Sequence, residues 1–291
     1  MNNIVLCDST RSLLIKCDID SAKLEAVPLA SYGKPCAPHD LIVGNDKIYV
    51  ANSISNTISI IDKKTFMSID SIYGGSIPED VLLVSNYLFV ACGGTNSVDV
   101  LDVETLNLLV TIPVKNFPHC LAYDSYKNRV FVANFIDSSI SVIDVNTLNE
   151  VTNIKSKFYP TKILISQKYN MLICCESCLG DKHGYLELYS LSNLKSIKKI
   201  ELGKNPIDMC IDEEKIYVTN FDDGTISVIR LIDLFLEGAM FIGGNLRGIC
   251  KVDKYLCVGD KKNLKLIICD LERCAKKIIA LGGEPNAIKS Y

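Results

Sequence analysis

Residues 48–62 read IYVANSISNTISIID, and the same pattern returns as VFVANFIDSSISVID at 130–144 and IYVTNFDDGTISVIR at 216–230. Each stretch is a β-branched apolar run, a polar turn and a second run that alternates with period two, which predicts two short strands joined by a tight turn. Weaker copies fill the gaps: IVLCD at 4–8, LFVAC at 88–92, LICCE at 172–176 and LCVGD at 256–260. Their last residues fall at 8, 52, 92, 134, 176, 220 and 260, a step of 40 to 44 residues throughout. A fixed period of this length marks a repeat architecture built from seven units.

A second marker precedes each copy. Pro38, Pro78, Pro118, Pro160, Pro206, Leu246 and Pro285 each open a short apolar segment. Proline suits a strand start, where no ladder donor is lost. A unit therefore reads as four strands: one from the marker, one at the YVAN-like run, one at the SVID-like run, and a looser fourth such as 106–114 or 195–202. Four short strands per unit, each unit burying its neighbours' faces, predicts an all-β, seven-bladed β-propeller with four antiparallel strands per blade. The chain enters at the second strand of a unit and finishes on a lone first strand, 285–291. The expectation is that this C-terminal strand joins three N-terminal strands in one blade and closes the ring, which removes the exposed sheet edge of an open array. The whole of 1–291 is then one domain, with 1–29 plus 285–291 as the first blade and about 33–281 as the other six.

The repeats resemble those of the YVTN-repeat β-propellers over essentially the whole chain, most closely at 33–72, 115–154 and 203–230. The resemblance implies the seven-bladed fold. It implies little about activity, because propellers host many functions.

Composition narrows the field. The 291 residues carry 31 Lys and Arg against 34 Asp and Glu, a net charge of −3, so the general electrostatic footprint of a nucleic-acid binder is missing. Residues 1–15 do not read as a secretory signal, and no apolar run approaches the length of a membrane helix. The 13 cysteines are odd in number and irregular in spacing, and most fall in strand-like runs. They read as reduced apolar fillers rather than a disulfide framework, which suits a reducing cytoplasm or an anaerobic host. The expected protein is a cytoplasmic monomer that engages neither membrane nor nucleic acid.

In propeller geometry, taken from the resemblance, the first strand of each blade lines the central channel. The residues after the proline marker then ring the channel mouth: His39, Glu79, His119, Thr161, Ile207, Arg247 and Asn286. Behind them come Asp40, Asp80, Cys120, Lys162, Asp208, Gly248 and Ala287. Two histidines and a glutamate on consecutive blades make His39, Glu79 and His119 the candidate ligands of a divalent metal. Arg247 is a candidate clamp for an anion. Lys162, Asp208, Arg247 and Asn286 complete the candidate ligand-binding set with the metal triad. A plain structural role stands beside this: the imidazoles cap neighbouring loops, and neighbouring blades keep equivalent atoms too far apart to share an ion unless the channel narrows.

The remaining recurrent residues read as structural. Asn52, Asn134 and Asn220 are expected to serve turns through left-handed backbone, and Asp62, Asp102, Asp144 and Asp270 to close strand ends. The segment from Cys174 to Gly184 holds a C-x-x-C at 175–178 and His183, but lacks a convincing fourth zinc ligand, since alternation turns Cys174 and Cys175 opposite ways. A cysteine-containing loop is the expectation, on the same face as the other two histidines. Phe135 and Phe221 are rim aromatics that suit either a partner or loop packing. Glycine pairs such as Gly74-Gly75 and Gly243-Gly244 do not lead from strand to helix, so they are turn residues rather than phosphate loops. No complete catalytic constellation is present. The expected function is a binding module whose channel mouth holds a protein, a peptide or a small anionic ligand; the alternative is a metal-dependent lyase or lactone-type hydrolase at the same mouth.

Overall fold

A computed structural model of the protein describes residues 2–29, 33–178, 180 and 182–291. Among these, 28 strands form seven four-stranded antiparallel sheets arranged as a ring of blades. The second blade sets the pattern: Pro38–Val43 innermost, then Lys47–Asn52, Thr57–Asp62 and, at the outer edge, Met67–Tyr73. The first blade is the hybrid that the repeat phase predicts. Pro285–Ser290 pairs with Asn3–Asp8, with Ile4 opposite Ser290 and Leu6 opposite Ile288, and Leu13–Asp18 and Leu24–Pro28 complete the sheet.

Burial explains why the second strand of every unit is the most apolar. It is sandwiched, so both of its faces are covered. Ile48 and Val50 pack toward the first blade with Val5, Cys7 and Leu14, whereas Tyr49 and Ala51 pack toward the third with Val81 and Val90. Seven such clusters fill the seven seams between adjacent blades. The outermost strands face water, as the exposed Met67 and Ile69 illustrate. All 13 cysteines are free, and of them only Cys274 is exposed. Burial pushes the thiols of Cys120 and Cys175 up to about 12, so they behave as small apolar side chains.

The turns divide the work differently from the sequence expectation. The strand-end aspartates do close turns: the Asp62 carboxylate accepts from the Thr65 backbone N–H at 2.7 Å, and Asp102, Asp144 and Asp270 repeat the arrangement with Thr105, Thr147 and Arg273. The repeat asparagines do not occupy the left-handed position. That backbone falls four residues later, at Asn56, Ser138 and Gly224. Asn52, Asn134 and Asn220 are instead fully buried, and their Nδ2 atoms donate to hydroxyls on the facing strand, as from Asn52 to Thr57 at 3.1 Å and Ser59 at 2.8 Å. Their role is structural, but as polar clamps inside the sheet. No helix among the described residues is long and apolar enough to cross a membrane.

Candidate functional site

Each innermost strand starts with an irregularity that the repeat pattern hides. In the third blade Pro78 faces Cys92 and Asp80 faces Ala91, so Glu79 is an extra, unpaired residue. The same jump isolates His119, Thr161 and Ile207, falls across His39 and Asp40, and recurs in the closing strand around Asn286. A bulge bends its strand and re-aims the extra side chain. Here it sends the residue after the marker into the channel mouth and the next residue deeper. In the seventh blade the jump falls one residue later, at Gly248, leaving Arg247 paired with Gly259. Gly248 has φ +73°, and a Cβ there would lie 1.8 Å from the Asn286 carbonyl oxygen. Since a backbone atom is in the way and the conformation disfavours other residues, Gly248→Ala is expected to destabilise the protein by at least about 3 kcal/mol in urea unfolding.

The bulges bring together side chains from separate blades. His39 donates from Nδ1 to the Glu79 carbonyl at 2.7 Å, and His119 from Nδ1 to the Thr161 carbonyl at 2.9 Å. Both bonds fix the tautomer with the proton on Nδ1, leaving Nε2 as the acceptor atom. The capping role foreseen for these imidazoles is therefore real, but it uses only one nitrogen of each. The other nitrogens converge: His39 Nε2 is 3.1 Å and His119 Nε2 4.0 Å from the same Glu79 carboxylate oxygen. All three groups lie within 4.8 Å of one another. The channel does narrow here. Arg247 donates from Nη2 to His39 Nε2 at 2.9 Å and from Nε to Asn286 at 2.5 Å, while Asn286 donates to the Pro38 carbonyl at 3.3 Å.

Burial and charge fix the protonation states. Burial, with the Arg247 charge acting in the same sense, holds His39 well below the usual imidazole range and lowers His119 to about 4, so both rings are neutral near pH 7. Burial pushes Glu79 up to about 7 against the opposing pull of Arg247. Beneath this tier lies an ion cluster. Lys162 Nζ sits 2.5 Å from one oxygen of Asp40 and Lys289 Nζ 3.1 Å from the other. Burial raises the Asp40 carboxyl, but the two lysines outweigh it and hold it well below the carboxylate range.

Of the predicted set, His39, His119, Lys162, Asp208, Arg247 and Asn286 line a cavity of about 270 Å³ at the mouth. Glu79 lies behind the two histidines and is 6% exposed. Phe135 walls the cavity and packs on His119 and Tyr159, with ring centroids 5.7 and 5.2 Å apart. Phe221 is half-buried and its carbonyl accepts from Asn245. His183 stands apart on the same face, exposed, 3.3 Å from Glu201. Cys174 and Cys175 turn into opposite seams, as alternation requires, and residues 179 and 181 of that segment lie outside the described residues. Lys289 is the participant that sequence reasoning missed. Its only signal was its position, two residues beyond Ala287 on the closing strand and therefore on the same side.

No protein-family profile matches the chain, and no curated protein matches it. Solved structures do. The chain is similar to Kuenenia stuttgartiensis hydrazine synthase at 16% identity, with a TM-score of 0.75 over 84% of this chain and 79% of that one. It is similar to apo AztD from Citrobacter koseri at 13% identity and TM-score 0.73, covering 99% and 97% of the two chains. The dihydro-heme d1 dehydrogenase NirN in complex with DHE matches at 11% identity and TM-score 0.69, over 99% of this chain and 74% of that one. Such low identities speak to the fold: this chain is a seven-bladed β-propeller.

Proposed function

We propose that the protein is a binding module of the YVTN-repeat type, a single domain whose channel mouth takes a small anionic ligand. The observation that carries this reading is Arg247. Its guanidinium is half-buried, opens onto the mouth cavity, and forms no ion pair with a carboxylate among the described residues. A cation held in such a place without an ion-pair partner is costly, whereas Lys162 and Lys289 nearby each have an ion pair, shared through Asp40. A carboxylate or phosphate would find a preoriented fork in Arg247, with its Nε tethered by Asn286, and neutral imidazoles that do not repel it.

Isothermal titration with malonate and with inorganic phosphate tests the reading. Wild type is expected to bind at least one of the two, and Arg247→Met to weaken that binding at least about tenfold. Equal binding by both proteins, or none by wild type, overturns it.

The alternative, a metal-dependent lyase or lactone-type hydrolase at the same mouth, draws on a different observation: the convergence of His39, Glu79 and His119.

A further inference from the structure

The triad at the floor of the mouth is built for a cation. Its three acceptor atoms come from three consecutive blades, and each is held by a separate feature. The two Nδ1–H bonds to the Glu79 and Thr161 carbonyls aim both Nε2 lone pairs inward. This is the outer-shell support that orients histidine ligands in metal sites. The Glu79 carboxylate is more than nine-tenths buried, and among the described residues no backbone or hydroxyl donor reaches it; the basic groups within 4.0 Å of it are the two imidazoles. With the proton on Nδ1, the 3.1 Å approach of His39 Nε2 to the Glu79 oxygen sets one acceptor against another. Such a pair is relieved by a cation or a proton shared between its members, a place that Arg247 Nη2 now partly fills from the side of His39.

We propose that His39 Nε2, His119 Nε2 and one carboxylate oxygen of Glu79 bind a single divalent transition-metal ion, with its remaining positions open to the cavity. Nitrogen-rich ligation of this kind suits zinc, with cobalt as its spectroscopic stand-in, rather than manganese, calcium or magnesium. Bonds of about 2.1 Å in a tetrahedron put ligand atoms about 3.4 Å apart. The distances here are 3.1 and 4.0 Å to Glu79 and at most 4.8 Å for the third edge, so a small turn of His119 completes the set. The ion would lie between a carboxylate at the back and the open cavity in front. Arg247 Nη2 now holds the His39 lone pair, at 2.9 Å. It must leave when the ion arrives, and its Asn286 tether keeps it at the rim, facing an anion bound to the metal. The inference deepens the anion-binding reading of the same mouth, giving the ligand a metal to share with Arg247.

The experiment uses the whole protein, stripped with a chelator, dialysed and titrated with Co²⁺ by calorimetry and visible absorption. One equivalent is expected to bind, with a protein-dependent visible band that Zn²⁺ abolishes. The double variant His39→Gln/His119→Gln is expected to bind at least about 100-fold more weakly, and Glu79→Gln about tenfold. Arg247→Met leaves every ligand in place and removes the competitor for His39 Nε2, so it is expected to bind Co²⁺ about tenfold more tightly. That gain has the opposite sign from the effect of misfolding. Absent Co²⁺ binding by wild type, undiminished binding by the double variant, or no gain in Arg247→Met overturns the proposal. Malonate titrated into stripped and Co²⁺-loaded protein separates the two readings. Malonate or phosphate binding without any Co²⁺ binding sinks the metal site alone, and Co²⁺ binding with neither malonate nor phosphate bound in either form sinks the anion reading alone.

Discussion

Protein lacking residues 285–291 is expected to show no cooperative thermal transition and to elute as an aggregate, whereas the full chain melts in one step. The deleted strand is half of the seam that closes the ring. It pairs with Asn3–Asp8 and packs against the innermost strands Pro38–Val43 and Leu246–Val252 on either side. Ile288 is 2% exposed in the cluster that joins the seventh and first blades, and burying such a side chain contributes about 1.5–3 kcal/mol. Its loss comes with the loss of the ladder bonds to Asn3–Asp8, of the Lys289 ion pair and of the Asn286 tether. Against a total stability of about 5–15 kcal/mol, these together are prohibitive. The strand left behind would also present an unpaired apolar edge to other molecules. A truncated protein that is monomeric and melts within a few degrees of the full chain would show that the seam is dispensable.

The second large effect lies just below the channel mouth. Asp40→Asn preserves shape but removes the charge that Lys162 and Lys289 share. Lys162 is buried, so it cannot recover hydration where it stands. Asp80 makes no ion pair with either lysine, because its oxygens accept from the backbone N–H groups of Val81 and Leu121, so it offers Lys162 only a more distant charge. Leaving one member of a buried pair uncompensated costs about 3–5 kcal/mol, so the melting temperature should fall by roughly 10 °C. Adding Lys162→Met to Asp40→Asn should recover part of the loss, because the orphaned charge is gone. Asp40→Asn within 1 kcal/mol of wild type by urea titration, with about 1 kcal/mol also the limit of the double variant's recovery, would mean that Asp40 is not what stabilises Lys162.

The fold was legible because the evidence for it is redundant: the IYVAN and ISIID runs and the proline marker keep one spacing, and the phase of the two ends dictates a hybrid blade. The mouth was legible at the level of position, since the residue after the proline is placed by the repeat itself. What the residues do to one another was not. Whether His39 and His119 share a neighbour depends on how narrow the channel is, a property of the closed ring rather than of any unit. The repeat put Asp40 and Lys162 in one tier, but gave no sign that their charges meet at 2.5 Å across the channel. Arg247 was read as a candidate clamp for an anion, and that reading did not show that its Nη2 rests on His39, a contact between residues 208 positions apart. The asparagine reading failed for a local reason. Asn52 shares its turn chemistry with Asn56, and only burial separates the residue that bends the chain from the one that fastens the sheet.

The polar bonds around the mouth all run in one rotational sense. His39 donates to the third blade, His119 to the fifth, Thr161 to the sixth, Arg247 to the first and Asn286 to the second. The circuit is broken where Ile207 has no donor to give and where Glu79 has only oxygens. Rotamers held by such a circuit are ordered before any guest arrives, so association would spend little entropy on the host beyond the shift of the Arg247 guanidinium and the small turn of His119. Selectivity would then come from fit to a stiff aperture, with the break at Glu79 as the one place where an incoming positive charge adds a link that the polypeptide itself cannot make.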